Sequence, residues 1–440
     1  MGITEELILY RQLEYERLFE NFTGLLEEGM PSIPEKAGNI SKKGTDTGLY
    51  YQCLHELVEL AASHGFEGNL WHNFLAFLLV NHENAYSKAC EIGGTAGETL
   101  QKAALHDFRI FRKLFAFDLS ALKLGDMAAP EIDFIVDYRC MSGAGTMFNR
   151  RIRDMICALA VELGQAKTAE EFQEIITRFY RNFGVGRFGL HKAFRIEHGE
   201  TDIVIAPISN IAHVKLADLV GYEIAKKKLT DNTEAFVSGR QANNCLLYGD
   251  AGTGKSSSIK AIANQYYDRG LRIIEVYKHQ FQDLHDVIAQ IKDRGYKFIL
   301  YMDDLSFEDF EIEYKYLKAV IEGGLEKKPD NILIYATSNR RHLIREKFSD
   351  KAELSDDLHN NDTVQEKLSL AARFGMQIYF GAPDKKEYLQ IVKALAEQHS
   401  ITIREEELFA QAGRWELNHG GRSGRTAQQF INDLLGKKQD

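Results

Sequence analysis

The chain has 440 residues, of which 44% are hydrophobic and 27% charged, and its formal net charge at pH 7 is −10. This composition is typical of a folded protein with two or three domains, and it argues against extensive disorder and against a basic nucleic-acid coat protein. The five cysteines are scattered without a CxxC pair, so neither a disulfide framework nor a zinc site is expected.

The start of the chain gives no indication of membrane targeting. The first residues lack the basic start and apolar core of a signal peptide. The longest apolar run, residues 74–80, is too short to span a bilayer. We therefore expect a cytoplasmic protein with no membrane partner.

Residues 1–200 are predicted to form a helical domain of unknown role. Apolar residues such as Leu54, Leu57 and Leu60 recur at helical spacing, which is typical of core packing. Near the end of this region the glycines at 184, 186 and 189 spell GxGxxG. A dinucleotide site needs a strand before this motif, but a helical pattern precedes it here, so we interpret the segment as an interdomain loop.

Residues 201–383 have a different pattern, in which short apolar runs alternate with helical segments. Strands are predicted at residues 244–248, 271–277, 297–302, 331–336 and 377–380. Such alternation indicates a doubly wound α/β core with a parallel sheet covered on both faces. Residues 384–440 are again helical and are predicted to form a small C-terminal domain. Exposed loops are predicted at residues 29–48 and 350–362.

The clearest motif follows the first of these strands and precedes a helix. It is a complete GxxxxGK[ST] P-loop, Gly249-Asp250-Ala251-Gly252-Thr253-Gly254-Lys255-Ser256, and Ser257 continues it. In this motif the backbone N–H groups surround phosphate oxygens and the helix start adds its positive dipole. Lys255 is predicted to reach the β- and γ-phosphates, and Ser256 to bind magnesium. We therefore expect this segment to bind ATP with Mg²⁺.

A second motif lies at the end of the third predicted strand. The buried run 298–302 ends in Asp303 and Asp304, which matches the Walker B pattern that accompanies a P-loop. Asp303 is predicted to hold magnesium through its water shell. Asp304 is predicted to stand near the γ-phosphate as the base that orients the attacking water.

From about residue 215 to its end, the chain resembles an AAA+ ATPase module. Four further segments contribute to the resemblance: Leu219-Val220-Gly221-Tyr222, Thr337-Ser338-Asn339, Arg373-Phe374-Gly375 and Gly424-Arg425-Thr426-Ala427. Taken whole, the chain is similar to a bacterial AAA+ family of unknown biological role that carries a helical N-terminal region. The resemblance implies an AAA+ core followed by a helical lid.

The resemblance also implies roles for individual residues near the nucleotide. Val220 and Gly221 would lie against the adenine. Asn339, as sensor 1, would polarise the same water as Asp304. Arg425 would be the phosphate-sensing arginine of sensor 2, although Arg422 competes for that role.

Arg373 corresponds to the arginine finger of the superfamily. Such a finger acts on the nucleotide of a neighbouring subunit, so the resemblance implies a homo-oligomer with shared active sites. We expect this assembly to act on an unknown macromolecular partner, either protein or nucleic acid.

Two departures from the superfamily pattern affect the predicted function. Asp304 stands where Glu is usual, and its shorter side chain affects the expected rate of hydrolysis more than binding. Residues 277–281 lack the aromatic-plus-glycine pore loop of protein-threading members, so polypeptide unfolding is not indicated.

The sequence leaves two main functions open. The first is an ATPase that uses hydrolysis to drive conformational change on its partner. The alternative is a slow, nucleotide-gated binding switch that resembles a replication loader and has little turnover. A small-molecule kinase is a third class, but the sensor residues and the lid argue against it.

Overall fold

The computed structural model of the chain describes residues 2–29, 47–94, 96–124, 127–139, 148–199, 202–208, 211–307, 311–322, 329–339, 343 and 370–437. The chain divides into two compact units, Met1–Leu190 and His191–Asp440. Most of the loop predicted at residues 29–48, and all of the one predicted at 350–362, lie outside the described residues. The finer division into three domains at residues 200 and 383 stays a prediction.

The first unit is helical, with one short antiparallel ribbon formed by β1 (Lys123–Leu124) and β2 (Met127–Ala128). Its helices are α1 (Glu16–Gly29), α2 (Thr47–His64), α3 (Leu70–Asn81), α4 (Ala85–Glu91), α5 (Glu98–Phe115), α6 (Asp133–Val136), α7 (Arg150–Gln165), α8 (Ala169–Phe183) and α9 (Gly186–Leu190). The leucines predicted to face the core, Leu54, Leu57 and Leu60, are all buried. Apolar burial of this kind is the main term that stabilises a helical unit.

The GxGxxG segment does not form a dinucleotide site. Helix α8 precedes it, and Gly184 follows the last helical residue with a positive φ of 81°. The predicted interdomain loop is wrong, because Gly186 begins the short helix α9. Gly186 has a φ of 65°, in the left-handed region that favours glycine, and this backbone conformation explains the glycine at that position.

The second unit contains a seven-stranded sheet in the order β4-β3-β6-β7-β8-β5-β9. Its strands are β3 (Ala193–His198), β4 (Ile203–Pro207), β5 (Cys245–Gly249), β6 (Leu271–Glu275), β7 (Lys297–Met302), β8 (Ile332–Ser338) and β9 (Met376–Phe380). The five predicted strands are confirmed as β5 to β9 and pair in parallel. The sheet extends further than predicted, because β3 joins β6 in parallel and β4 pairs with β3 in antiparallel orientation.

Helices surround this sheet and continue after it. They are α10 (Glu223–Val237), α11 (Lys255–Tyr266), α12 (Leu284–Ile291), α13 (Glu313–Glu322), α14 (Lys385–Gln398), α15 (Glu405–Asn418) and α16 (Gly424–Lys437). Every residue of β8 is buried, which means that both faces of the sheet are covered there. The predicted fold class, a doubly wound α/β core with helical regions before and after it along the chain, is confirmed.

The last three helices, α14 to α16, share a small core of their own, and we call them the lid. Helix α14 begins with a capping box. The Asp384 side chain accepts from the backbone N–H of Glu387 at 2.8 Å, and the Glu387 side chain accepts from the N–H of Asp384 at 3.0 Å. The box fixes where the chain leaves the sheet and enters the lid.

The sheet order places the P-loop at a point where ligands commonly bind. Strand β5 lies between β8 and β9, whereas the next strand in the chain, β6, lies on the far side of β7. Open α/β sheets bind ligands outside the carboxyl ends of their strands at such a reversal. The residues that follow β5, β7 and β8 therefore lie near one another.

Candidate functional site

The P-loop is shaped by glycines that no other residue could replace without strain. Gly249, Gly252 and Gly254 have φ values of 135°, 75° and 91°. A Cβ at Gly249 would lie 2.0 Å from the Phe380 carbonyl oxygen of the neighbouring strand. The loop therefore turns tightly against β9 before α11 begins at Lys255. A helix start after such a turn is a suitable site for a phosphate group.

Lys255 is the buried cation of this loop, with only 6% of its surface exposed. Its Nζ donates to the carbonyl oxygens of Gly249 and Asp250, at 2.8 and 2.6 Å, and to Oδ1 of Asn339 at 3.0 Å. Burial lowers the pKa of Lys255, although the carboxylates of Asp250 and Asp304 act in the opposite direction. An anionic phosphate near Nζ would favour the charged form.

Asp303 lies where strand β7 ends, and its carboxylate accepts two hydroxyl groups. Ser256 Oγ donates to Asp303 Oδ1 at 2.7 Å, and Thr337 Oγ1 donates to the same oxygen at 2.5 Å. Burial alone would raise the pKa of Asp303, but these hydrogen bonds outweigh burial, and its pKa is lower than usual. Asp303 is therefore an ionised carboxylate beside the P-loop serine.

These two oxygens fit the predicted magnesium ion. Mg²⁺ prefers hard oxygen ligands and is usually held by one or two protein groups together with substrate phosphates. Ser256 Oγ and Asp303 Oδ1 are adjacent and lie at the end of the loop where phosphates would bind. Among the described residues, no group of three or more His, Cys, Asp or Glu side chains could hold a metal without a substrate.

Asp304 is held in an unusual backbone conformation. Its φ of 49° is in the left-handed region, which Asp tolerates better than most residues with a side chain. Its N–H donates to Thr337 Oγ1 at 2.9 Å, and its Oδ1 accepts from Asn339 Nδ2 at 2.7 Å. Residues in such a conformation persist only where the surroundings fix them, and they cluster at functional sites.

Lys255, Asn339 and Asp304 thus form one continuous hydrogen-bonded chain. The amide oxygen of Asn339 accepts from Lys255, and its amide nitrogen donates to Asp304. The sequence assigned these three residues to separate motifs. The structure brings them together at the carboxyl ends of β5, β7 and β8.

Thr337 is a site residue that the sequence analysis did not identify. Its single hydroxyl donates to the Asp303 carboxylate and accepts from the Asp304 backbone, so it contacts both acids. Its side chain is buried, with 1% exposed. The only signal in the sequence is a hydroxyl residue within the otherwise apolar run that forms β8, and such a residue is common in strands.

The P-loop opens into a cleft of about 700 Å³ between the core and the lid. Its lining includes the P-loop from Ala251 to Ser257 together with Asp303, Asp304, Thr337, Asn339 and Arg425. The lining also includes the apolar residues Val214, Leu219, Val220, Ile391 and Leu395. A cleft lined both by a phosphate-binding loop and by apolar side chains suits a nucleotide, which carries phosphates and a base.

The segment predicted to contact adenine lies beside this cleft. Val220 and Tyr222 line it, whereas Gly221, between them, has a φ of 83° and forms the turn. Tyr222 also has a positive φ, 60°, and its hydroxyl donates to the Gly381 carbonyl at 2.9 Å. The assignment of Val220 and Gly221 to adenine binding stays a prediction.

The two candidate sensor-2 arginines occupy different positions. Arg425, at the start of α16, lines the cleft. Its backbone N–H donates to the Gly252 carbonyl at 3.2 Å. Arg422 is not among the cleft-lining residues, and its guanidinium pairs with the Glu416 carboxylate at 3.7 Å. Because it lines the cleft, Arg425 is a better candidate for the sensor-2 arginine than Arg422 is.

Arg373 is not among the residues that line the cleft. Its side chain forms an ion pair with Glu322 at the end of α13. An arginine finger is expected to lie away from the P-loop of its own subunit, and this position agrees with that expectation. Its role in a neighbouring subunit stays a prediction.

Comparisons with known proteins identify the family to which this chain is related. Residues 189–438 match the family described as "Protein of unknown function (DUF815)". A 74-residue segment is 38% identical to the replication factor C large subunit of Staphylothermus marinus, and the match covers 17% of this chain and 17% of that protein.

Solved structures provide two further comparisons. The RuvB Holliday junction branch migration motor of Thermotoga maritima is 16% identical, with a TM-score of 0.33 over 50% of this chain and 72% of that one. The FIGL-1 AAA domain, in complex with ADP, is 18% identical, with a TM-score of 0.34 over 52% of this chain and 75% of that one.

One further observation concerns membranes. Across the described residues, no helix combines the length and apolar character needed to cross a bilayer. The matched region spans the second unit, including all seven strands of its sheet, except for its last two residues, 439–440. By that match, which covers more than half of its length, the chain belongs to the DUF815 family, and the matched region contains both the P-loop and the parallel strands that surround it.

Proposed function

We propose that this chain binds ATP with Mg²⁺ in the cleft between core and lid and hydrolyses the γ-phosphate to give ADP and phosphate. The observation that supports this most strongly is the hydrogen-bonded chain from Lys255 through Asn339 to Asp304. A cation that would bind phosphate, an amide that would polarise water and an acid are thus hydrogen-bonded one after another beside the P-loop. Phosphoryl transfer depends mainly on such positioning and on charge stabilisation.

The proposed binding mode places the phosphates against the P-loop wall of the cleft. The loop from Gly249 to Ser257 would surround the phosphates, with Lys255 against the β- and γ-groups. Ser256 and Asp303 would hold Mg²⁺, which neutralises charge on the phosphate oxygens when it is bound. Arg425 would contact the phosphates from the lid side, where it lines the cleft.

In the proposed reaction, Asp304 orients the attacking water and accepts its proton, and Asn339 fixes the direction of the carboxylate. The 2.7 Å bond between Asn339 Nδ2 and Asp304 Oδ1 supports this pairing. Asp is one methylene shorter than the Glu usual at this position, which favours slow turnover. A slow nucleotide-gated switch is therefore the second candidate, distinguished by ATP-dependent binding of a partner with negligible turnover.

Metal removal tests the binding mode directly. We expect a fluorescent ATP analogue to bind the full chain in the presence of Mg²⁺ and to bind at least tenfold more weakly after chelation with EDTA, because Ser256 and Asp303 would lose the ion that links them to the phosphates. Fluorescence anisotropy at equilibrium measures this. Mg²⁺-independent binding would remove Ser256 and Asp303 from the proposed site.

We also propose that the chain forms a homo-oligomer in which Arg373 acts on the neighbouring subunit's nucleotide, and that hydrolysis drives conformational change on a protein or nucleic-acid partner. Arg373→Ala should bind ATP normally but hydrolyse it at least tenfold more slowly, since trans-acting arginines contribute roughly 10³–10⁵ in rate in GTPases. Mixing it with Lys255→Ala should partly restore activity, because some interfaces would then pair an intact P-loop with an intact arginine. Steady-state phosphate release measures both effects.

Glu322→Gln is the matched control for Arg373, because it removes the ion-pair partner and keeps the arginine. A trans-acting arginine should tolerate this change. Equal loss of activity in both variants would indicate that the ion pair is merely structural. A mixture that forms mixed oligomers and yet stays inactive would exclude action in trans.

A further inference from the structure

Asp250, the second residue of the P-loop, connects that loop to the segment leading into the lid. Its Oδ2 accepts from the backbone N–H of Ala382 at 2.7 Å. Its own N–H donates to the Phe380 carbonyl at 3.0 Å, which continues the pairing between β5 and β9. The residue is therefore bonded to the end of β9 through its backbone and to the next segment through its side chain.

We call that next segment, residues 381–383, the hinge of the lid. It joins the last strand of the sheet to the capping box of α14. On the cleft side of the hinge, the hydroxyl of Tyr222 donates to the Gly381 carbonyl at 2.9 Å. Helix α14, which the hinge positions, contributes Ile391, Leu395 and Gln398 to the cleft wall. Any change in the hinge therefore alters one wall of the nucleotide cleft.

The same P-loop residue also contacts the phosphate-binding cation. The Asp250 carbonyl accepts from Lys255 Nζ at 2.6 Å, while its carboxylate holds the hinge. Movement of Lys255 toward a phosphate would thus act on a residue that is bonded to the hinge of the lid. No other residue needs to transmit the change.

A second contact anchors the far end of the lid to the same loop. The backbone N–H of Arg425 donates to the Gly252 carbonyl at 3.2 Å. A Cβ at Gly252 would lie 3.0 Å from Oγ of Ser423, so α16 starts in close contact with the loop. The lid is held to the P-loop both at its hinge, by Asp250, and at its last helix.

We propose that the Asp250 carboxylate regulates how long nucleotide stays in the cleft, by tying the hinge of the lid to the P-loop. This inference rests on the proposed nucleotide binding. A charged acceptor makes a stronger bond to a backbone N–H than a neutral one, although solvent weakens it at an exposed residue such as Asp250. Loss of the bond leaves α14 less restrained and lets the lid open more often.

The test is the dissociation rate of a fluorescent ADP analogue from the full chain, measured by stopped flow against excess unlabelled ATP. Asp250→Ala should release the analogue roughly three- to tenfold faster than the wild-type chain, which corresponds to the loss of one exposed, charge-assisted hydrogen bond. Amide hydrogen exchange of the peptide that contains Ala382 should show one additional fast-exchanging amide in this variant. Since Asp250 is exposed, the fold should be retained.

Asp250→Asn is the matched control, because the amide oxygen can still accept from Ala382 while the charge is removed. Its dissociation rate should lie between those of the wild-type chain and Asp250→Ala. Tyr222→Phe removes the other bond to the hinge and should increase dissociation further when combined with Asp250→Ala.

The outcomes separate this inference from the proposed function. A wild-type chain that binds no nucleotide would overturn both. Suppose that the wild-type chain binds nucleotide normally, and that Asp250→Ala changes neither the dissociation rate of the analogue nor the amide exchange at Ala382. That result would overturn only the proposed role of the Asp250 hydrogen bond. If Asp250→Asn releases nucleotide as fast as Asp250→Ala, the effect comes from charge, and the hydrogen-bonded tie is wrong.

Discussion

Replacing Lys255 with alanine is expected to weaken ATP binding or turnover by roughly 10²- to 10³-fold, the loss typical of removing one preorganised donor from a charge-stabilising site. The Lys255 ammonium is buried and directed at the loop carbonyls and at Asn339. A phosphate in the loop would exchange these neutral acceptors for a charged one. The variant also loses the contact that holds Asn339 in line with Asp304.

Equilibrium titration with a fluorescent ATP analogue, followed by a phosphate-release assay, measures this effect. Lys260→Ala is the matched control, because Lys260 lies on the same helix α11 but is exposed. The control should bind and hydrolyse as the wild-type chain does. Wild-type affinity together with wild-type turnover in Lys255→Ala would remove the P-loop from the proposed function.

Replacing Asp304 with asparagine is expected to preserve ATP binding and to reduce hydrolysis by about 10²- to 10⁴-fold, the usual contribution of a general base. The substitution keeps the size of the side chain, and Asn tolerates the left-handed backbone at this position about as well as Asp does. An amide oxygen can still accept from Asn339. What is lost is the negative charge that would accept a proton from water.

Comparison with Asp303→Ala separates the two acids, since Asp303 contacts Ser256 and would act through magnesium. Asp303→Ala should raise the Mg²⁺ concentration needed for half-maximal activity, whereas Asp304→Asn should lower the maximal rate at every Mg²⁺ concentration. If Asp304→Asn hydrolyses ATP at the wild-type rate, the base is another group.

The sequence predicted the P-loop and the two acids because each is defined by local order along the chain. A strand, a glycine-rich turn and a helix start are encoded within about a dozen residues around Gly249, and the structure has those elements there. The parallel strands β5 to β9 were predictable for the same reason, since apolar runs bounded by polar turns mark buried strands.

Contacts between distant segments could not be predicted in this way. Thr337 bonds to both acids across two strands, and nothing in its local sequence distinguishes it from an ordinary strand residue. The choice between Arg425 and Arg422 depends on how α16 meets the P-loop. The edge strand β4 and its neighbour β3 were not predicted as a pair, because their residues at 193–207 are short, polar-edged runs next to a misleading glycine pattern.

One cleft is proposed both to bind ATP and to cleave it. Single-turnover hydrolysis, with the full chain in excess over γ-labelled ATP and Mg²⁺, tests this most directly, because it isolates chemistry from product release. We predict that the wild-type chain converts bound ATP to ADP and phosphate in a single exponential phase, and that Asp304→Asn retains the label as uncleaved, bound ATP. Tight binding by the wild-type chain without any cleavage would contradict the ATPase and favour the nucleotide-gated switch.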